Sequence, residues 1–181
     1  PDLRAVDSVA ACVKHFAAYG FAEAGRDYNT VDLSAATLHD VVLPPFRAAV
    51  EAGAATVMTS FNEIAGLPSV SSARLQREIL KGEWQFPGFV VSDWGAIRET
   101  LPHGFATDLR HAAQLAILSS NDMDMESSAY DHHLAELVTD GTVPSAVLDE
   151  SVRRVLRVKF ALGLFDDPYR RCDPVRERRL L

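Results

Sequence analysis

The sequence is poor in cysteine and has no long apolar run. Cys12 and Cys172 are the only cysteines among 181 residues, and they are too few and too far apart to predict a disulfide framework or a zinc site. A membrane-spanning helix needs about 20 consecutive apolar residues, and no stretch of the chain reaches that length. We therefore expect no membrane span and no bound metal.

Positive charge is also scarce. The chain has 18 Lys and Arg against 25 Asp and Glu, a net charge of −7, and its one basic cluster is the short run at 176–179. Nucleic-acid binding requires a basic surface that neutralises phosphates, so nucleic acid is not an expected partner. The hydrophobic fraction of 48% and the charged fraction of 24% are those of a globular domain.

Several glycine-containing motifs are missing as well. The chain has neither G-x-G-x-x-G nor a P-loop, the motifs whose backbone N–H groups hold the phosphates of nucleotide cofactors. It also has no G-x-S-x-G elbow, and Ser92 is followed by an aspartate, so the serine nucleophile of an α/β-hydrolase is not expected. No cofactor is predicted.

Four short apolar runs are present, and each ends in polar residues. Three are rich in β-branched and aromatic residues and are predicted to be buried strands, whereas the fourth is a weaker strand prediction. In chain order the runs occupy residues 11–16, 55–60, 88–93 and 121–125. Helical periodicity is found at 35–52, with a break or kink at Pro44-Pro45, and at 72–81, 108–118, 130–139 and 145–162.

The spacing of the strands indicates their topology. Successive strands are separated by the roughly 30 or more residues of a strand–helix–strand unit, and no Asn-Gly or Asp-Gly turn joins two of them. We therefore expect an α/β fold with parallel strands and no hairpin. Two architectures satisfy this pattern: an open doubly wound sheet of the flavodoxin kind, and about four βα units of a (β/α)8 TIM-like barrel. The missing phosphate loop argues against the first.

Polar side chains follow the ends of all four predicted strands, where both architectures place their functional sites. These residues are Lys14 and His15, Ser60 and Asn62, Asp93 and Trp94, and Asp122 and Asp124. Each also has an ordinary structural explanation: Asp93 could cap a turn, and His15 could be a hydrogen-bonded core histidine. Their shared edge favours a site for a neutral polyhydroxylated substrate, in which Trp94 stacks on a ring and a carboxylate is the nucleophile.

Five motifs occur in a fixed order along the chain. They are KHF at 14–16, LPPF at 43–46, VMTSFN at 57–62, GFVVSDW at 88–94 and GLFDDPY at 163–169. Together they resemble glycoside hydrolase family 3, the β-glucosidase-like group, and the similarity covers nearly the whole chain. Bacterial periplasmic β-glucosidases carry similar stretches, so the resemblance favours a periplasmic or secreted protein.

The resemblance implies a fold, an activity and a set of site residues. It implies that Asp93 is the nucleophile of a retaining, exo-acting β-glycosidase. It also implies that Lys14 and His15 bind sugar hydroxyls and that Trp94 lines the same subsite. Three further substrate-binding residues are implied by their positions, namely Arg26, Met58 and Phe61, the last of which stands where the family often has tyrosine.

The resemblance further implies that parts of the site lie outside this sequence. In the family, other barrel strands supply further binding residues, and the general acid/base usually comes from a second domain. We therefore expect residues 1–165 to be the C-terminal half of the barrel and residues 166–181 to begin a linker toward that domain. The expected partners are a β-linked glucoside or related oligosaccharide and the remainder of the same enzyme. An alternative is a half-barrel subunit that binds carbohydrate or serves assembly without catalysis.

Overall fold

The structure is a computed structural model that describes residues 2–180. Pro1 and Leu181, which begin the predicted half-barrel and end the predicted linker, lie outside the described residues. Within 2–180, no helix combines the length and the apolar character needed to cross a membrane.

The core of the fold is a sheet of three parallel strands. The strands of the chain are β1 (Cys12–Phe16), β2 (Thr56–Thr59), β3 (Glu63–Ile64), β4 (Leu67–Pro68) and β5 (Phe89–Val91). The parallel sheet has the order β1-β2-β5, and Met123 extends it by a single parallel bridge to Val91. The parallel arrangement and the first three predicted strands are thus confirmed, but the predicted burial is wrong for β1, which lies at one edge of this sheet with only Phe16 buried. The fourth is reduced to one bridge because Asp124 turns the chain into the next helix.

The strands β3 and β4 form a short antiparallel hairpin that the sequence analysis does not predict. Their turn is Ala65-Gly66, and both residues have positive φ, 51° and 80°, as a two-residue hairpin turn of type I′ requires. Glycine adopts this φ without strain, whereas alanine rarely does. Because alanine stands where these turns usually have Asn or Asp, the sequence lacks the usual hairpin signal. The expectation of no hairpin is wrong at this point, although the hairpin is separate from the parallel sheet.

Helices connect and cover the strands. The α-helices are α1 (Ala35–Thr37), α2 (Leu43–Glu51), α3 (Ala96–Glu99), α4 (Leu109–Leu118), α5 (Ala129–Thr139), α6 (Ser145–Ala161) and α7 (Pro174–Leu180). Two π-helical segments span Leu38–Val42 and Arg74–Glu83, and 3-10 turns span Tyr19–Phe21, Glu23–Gly25 and Ser69–Ser71. All five predicted helical segments are therefore present, whereas α3 and α7 are not predicted by the sequence.

At Pro44-Pro45, where a break or kink is predicted, the helical structure does not break but changes from the π-helical segment Leu38–Val42 to α2. Both prolines lie in the first turn of α2, where a missing N–H removes no intrahelical hydrogen bond. Just before them, the Leu43 N–H donates to the Leu38 carbonyl, the wider bond of a π turn. The wide turn therefore lets one helical segment continue into the next.

Two apolar clusters hold these elements together. The first joins the parallel sheet to α2 and the segment Arg74–Glu83, and it includes Phe16, Val57, Ile79, Leu80 and Val90. The second joins α3, α4 and α5, and it includes Ile97, Ala112, Ala116, Ile117 and Leu137. Burial of each large apolar side chain contributes about 1.5–3 kcal/mol. The strands, and with them the strand ends, are therefore held in place by their packing against these helical segments.

Residues of the predicted linker contact the start of the chain. Arg171 donates from Nε to the Ser8 carbonyl at 3.0 Å and from Nη1 to the Leu162 carbonyl at 3.1 Å. The Asp166 carboxylate lies 3.5 Å from the Arg4 guanidinium. These contacts fix where the chain runs after α6, and the domain boundary at 165/166 stays a prediction.

Candidate active site

The end of β5 brings Asp93 and His15 together. The Asp93 Oδ2 atom lies 3.2 Å from His15 Nε2, and the other oxygen, Oδ1, accepts a hydrogen bond of 2.7 Å from the Trp94 N–H. The Asp93 side chain is 14% exposed and that of His15 is 28% exposed. The carboxylate is thus oriented by two contacts and still open to a ligand.

The backbone on both sides of Asp93 is fixed by hydrogen bonds. Before it, the Ser92 N–H donates to the Met123 carbonyl at 2.9 Å, and after it the Gly95 N–H donates to the Met125 carbonyl at 2.8 Å. Gly95 has a φ of 67°, which glycine adopts without strain, and it turns the chain from β5 into α3. The carboxylate therefore stands at the carboxyl end of a buried strand.

Lys14 and His15 lie at the same end of the sheet, on β1. The Lys14–His15 peptide bond is cis. The Lys14 side chain is exposed, and both residues line an open cavity of about 460 Å³ that Tyr19 and Phe46 also border. An ammonium and an imidazole in one cavity can each donate hydrogen bonds to a ligand.

Trp94 and Met58 lie at the same end of the sheet as Asp93. The Trp94 side chain directly follows Asp93 and is 65% exposed, although aromatic rings of this size are usually well buried. Met58 is half-buried on β2 and stands in register with Val91, which lies two residues before Asp93. The exposed indole is free to stack on a ligand.

Phe61 belongs to an aromatic group that extends outward from His15. The Tyr19 ring centroid lies 5.4 Å from that of His15 and 6.0 Å from that of Phe61, and Tyr28 lies 4.5 Å from Phe61. Burial and the neighbouring Asp27 carboxylate raise the pKa of Tyr19 to about 12. The Tyr19 hydroxyl is therefore protonated at neutral pH and can donate a hydrogen bond.

Arg26 lies in the loop between these two tyrosines, and its side chain is exposed. Its backbone takes part in turns, since its N–H donates to Glu23 at 3.2 Å and its carbonyl accepts from the Asn29 N–H at 3.3 Å. Within residues 2–180, no hydrogen bond or ion pair joins its guanidinium to another side chain. The structure therefore places Arg26 in the loop after β1 without a contact that fixes it toward Asp93.

Asp122, a strand-end candidate in the sequence, is taken up by a buried ion pair. Its Oδ2 accepts hydrogen bonds from Lys81 Nζ at 2.5 Å and from the Val90 N–H at 2.8 Å, and its Oδ1 accepts from Ser151 Oγ at 2.9 Å. Burial lowers the pKa of Lys81 to about 8, although the charge of Asp122 opposes this shift. Asp122 thus binds β5 through the Val90 N–H and is not part of the site.

The remaining strand-end candidates are also structural. The Asp124 carboxylate accepts hydrogen bonds from backbone N–H groups at the start of α5, including that of Ala129 at 2.8 Å. Ser60 Oγ and Asn62 Nδ2 both donate to the Ala17 carbonyl, at 3.1 Å and 3.3 Å. In the described range, no group of three or more His, Cys, Asp or Glu side chains is arranged to hold a metal ion.

The chain matches the model of the glycosyl hydrolase family 3 N terminal domain over residues 3–158. It belongs to glycosyl hydrolase family 3. The matched range contains all the predicted site residues, and the resemblance seen in the sequence motifs is confirmed.

Two curated relatives illustrate the similarity within family 3. The periplasmic beta-glucosidase of Salmonella typhimurium is 43% identical over 167 residues, which cover 92% of this chain and 22% of the relative. A putative beta-xylosidase of Formosa agariphila is 37% identical over 163 residues, which cover 89% and 22%. The chain therefore spans about a fifth of the length of these relatives.

A solved family 3 structure resembles the fold closely. The beta-glucosidase of Listeria innocua in complex with glucose matches with a TM-score of 0.90 and 44% identity, over 93% of this chain and 24% of that one. The predicted α/β fold, part of a (β/α)8 TIM-like barrel, is confirmed over the open doubly wound sheet. The names of the relatives support the predicted glycosidase fragment and not the alternative of a non-catalytic half-barrel.

The tyrosines of the aromatic group are not among the residues predicted from the sequence. Tyr19 and Tyr28 lie in the loop after β1, among glycine, alanine and charged residues. The available signal is two aromatic residues within twelve positions of the end of the predicted strand at 11–16. Nothing in the sequence shows that they meet Phe61, because that contact depends on how the loop folds over β2.

Proposed function

We propose that this chain carries the nucleophile and part of the sugar-binding surface of a retaining β-glycosidase. One observation carries the proposal: the Asp93 carboxylate is held by His15 and the Trp94 N–H at the carboxyl end of a parallel strand. Barrel enzymes place their catalytic groups at this end. The family 3 relatives named beta-glucosidase and beta-xylosidase support a terminal β-linked glucose or xylose as the substrate.

The proposed reaction has two steps with Asp93 as the nucleophile. A carboxylate oxygen of Asp93 bonds to the anomeric carbon while the bond from that carbon to the leaving-group oxygen breaks. The leaving group takes the bonding electron pair and a proton from a general acid. Water, deprotonated by the same group, then attacks the anomeric carbon, which frees the carboxylate and releases the sugar with its configuration retained.

We assign binding roles to the residues around Asp93. The His15 imidazole orients the carboxylate through its 3.2 Å contact, and Lys14 donates hydrogen bonds to hydroxyls from the shared cavity. The exposed Trp94 ring stacks on the sugar or on the leaving group. Met58 and Phe61 supply apolar walls, and Arg26, which is exposed in the loop after β1, binds hydroxyls.

The general acid is proposed to come from outside this chain. Retaining glycosidases hold two carboxyl groups about 5–5.5 Å apart, and two candidates for the second group, Glu126 and Glu63, contact other side chains. The Glu126 carboxylate lies 3.6 Å from the Arg98 guanidinium, and Glu63 accepts a hydrogen bond of 2.5 Å from Thr30. The proposed partner is the remainder of a longer enzyme, in which residues 1–165 form half of the barrel and 166–181 lead to a second domain.

We also propose that the protein acts in the periplasm or outside the cell. The name of the Salmonella relative supports this compartment. Fractionation of cells that express the full-length protein, with activity measured in each fraction, tests the proposal.

The function is tested by Asp93→Ala in the full-length enzyme. Loss of the covalent step should lower hydrolysis of an aryl β-glucoside by several orders of magnitude. Azide should fit the space left by the carboxylate and restore turnover, forming the α-glycosyl azide because it attacks from the face that Asp93 used. Asp140→Ala, at a surface carboxylate after α5, is the matched control and should leave activity unchanged. Retained activity in Asp93→Ala would overturn the proposal.

A further inference from the structure

The segment that follows Met123 has an unusual backbone beside the proposed nucleophile. Glu126 has a φ of 74° and Ser128 a φ of 56°, and neither residue is glycine. Residues with side chains rarely adopt this left-handed conformation, and it persists only where surrounding contacts impose it. The segment 123–128 therefore needs specific contacts to keep its shape.

Asp124 and Arg98 supply those contacts from two sides. The Asp124 carboxylate accepts hydrogen bonds from three backbone N–H groups, those of Ser127, Ala129 and Tyr130, at 3.2, 2.8 and 3.3 Å.

From α3, Arg98 Nη2 donates to the carbonyls of Glu126 and Ser127 at 3.0 and 2.9 Å. The Glu126 carboxylate lies 3.6 Å from the same guanidinium, and the Arg98 N–H donates to Ser127 Oγ at 3.2 Å. Arg98 thus binds the carbonyl of the strained Glu126, and Asp124 binds the backbone on both sides of the strained Ser128.

The held segment in turn supports the turn that carries Asp93. The carbonyls of Met123 and Met125 accept hydrogen bonds from the N–H groups of Ser92 and Gly95, at 2.9 and 2.8 Å. The Met125 N–H donates to Ser92 Oγ at 2.8 Å. These three bonds lie on both sides of Asp93, so a shift of segment 123–128 would move its carboxylate relative to His15.

We propose that Asp124 and Arg98 are positioning residues, which hold segment 123–128 in the shape that fixes the Asp93 carboxylate for attack on the sugar. The inference rests on the proposed function of Asp93. It assigns a role to two charged residues that do not touch the carboxylate themselves. A displacement of about 1 Å at a reacting group can lower the rate by about a hundredfold, so loss of either residue should act on the chemical step.

The test uses Asp124→Asn, Arg98→Met and Ser92→Ala in the full-length enzyme. Asparagine keeps the size of Asp124 but weakens its hold on the N–H groups. Methionine removes the donors of Arg98, and alanine removes the acceptor that binds Met125. Arg98→Lys retains donors for the carbonyls and serves as the rescue variant.

Asp140→Asn is the matched control, because Asp140 also accepts a backbone N–H, that of Thr142 at 2.9 Å, and also pairs with an arginine, Arg110. Active sites are counted by covalent labelling with a 2-deoxy-2-fluoro-β-glucoside. The inactivation rate constant per titrated site and the inhibition constant for glucose are then measured for each variant.

The inactivation rate constant per titrated site should fall about 10- to 100-fold in Asp124→Asn and Arg98→Met. A smaller fall is expected in Ser92→Ala, and Arg98→Lys should recover most of the loss. The inhibition constant for glucose should change less than the rate constant in every variant, since ground-state binding does not need the attack geometry.

A merely structural role would lower the number of titratable sites and leave the rate constant per site equal to that of Asp140→Asn. That result would overturn the inference while Asp93 remains the nucleophile. Activity that survives Asp93→Ala would instead overturn the proposed function.

Discussion

The buried pair of Lys81 and Asp122 should be a polar contact whose loss strongly destabilises the protein. The two side chains are 6% and 1% exposed, and Lys81 Nζ lies 2.5 Å from Asp122 Oδ2. The same carboxylate oxygen accepts the Val90 N–H, one residue before the end of the strand that leads to Asp93. We predict that Lys81→Met destabilises the protein more than any exchange of a surface lysine or arginine.

The size of the effect follows from what the substitution leaves behind. Methionine fills the space of the lysine stem, so the packing loss is small, but the Asp122 carboxylate stays buried with only neutral donors. Breaking a buried pair by removing one partner costs about 3–5 kcal/mol. The double variant Lys81→Met/Asp122→Asn removes the uncompensated charge, and it should be more stable than Lys81→Met alone.

Urea unfolding of the purified protein measures these free energies. Arg153→Met is the control, because the Arg153–Asp149 pair on α6 is 68% and 60% exposed at 3.5 Å, and such pairs contribute less than about 1 kcal/mol. A loss below about 1 kcal/mol in Lys81→Met would refute the reasoning. So would a double variant that is less stable than the single one.

Three further predictions concern the site, the sheet and the pH dependence. His15→Ala should lower kcat/KM and keep the alkaline limb of its pH profile, because His15 orients the Asp93 carboxylate and does not donate the proton; loss of that limb would make His15 the general acid. Gly88→Ala should abolish soluble expression or destabilise the fold strongly, since a Cβ there would lie 2.0 Å from the Ala55 carbonyl oxygen; unchanged thermal unfolding would contradict this. Burial lowers the pKa of Lys81 from 10.5 to about 8, so between these pH values the unfolded chain binds more protons than the folded one. Unfolding free energy of the wild type, measured relative to Lys81→Met, should therefore rise with pH across that window, and a fall would contradict it.

The parts of the fold that could be predicted are those set by local pattern. The runs that became β2 and β5 are apolar or β-branched at every strand position and largely buried, so burial and strand propensity agree, whereas β1 also contains Lys14 and His15. Asp93 and His15 could be placed at one edge because parallel strands bring their carboxyl ends together. Their direct contact of 3.2 Å satisfies that expectation geometrically, and their catalytic roles remain proposals.

The parts that could not be predicted depend on partners far along the chain. Asp122 looks like Asp93 in the sequence, but its role is decided by Lys81, 41 residues away, and by Ser151, 29 residues away. Asp124 turns out to hold the start of α5 because the chain bends just after Met123. An aspartate at a predicted strand end therefore correctly indicates the edge of the sheet where the site lies. Only the fold distinguishes a candidate nucleophile from an aspartate with a structural role.

Covalent labelling tests the central claim most directly. The full-length enzyme is incubated with a 2-deoxy-2-fluoro-β-glucoside bearing a good leaving group, which slows the second step and lets the glycosyl-enzyme accumulate. Proteolysis and mass spectrometry then locate the sugar. The account predicts one 2-fluoroglucosyl group per active site, attached to Asp93 in the peptide that contains Ser92 and Trp94. A label on any other residue, with Asp93 unmodified, would contradict it.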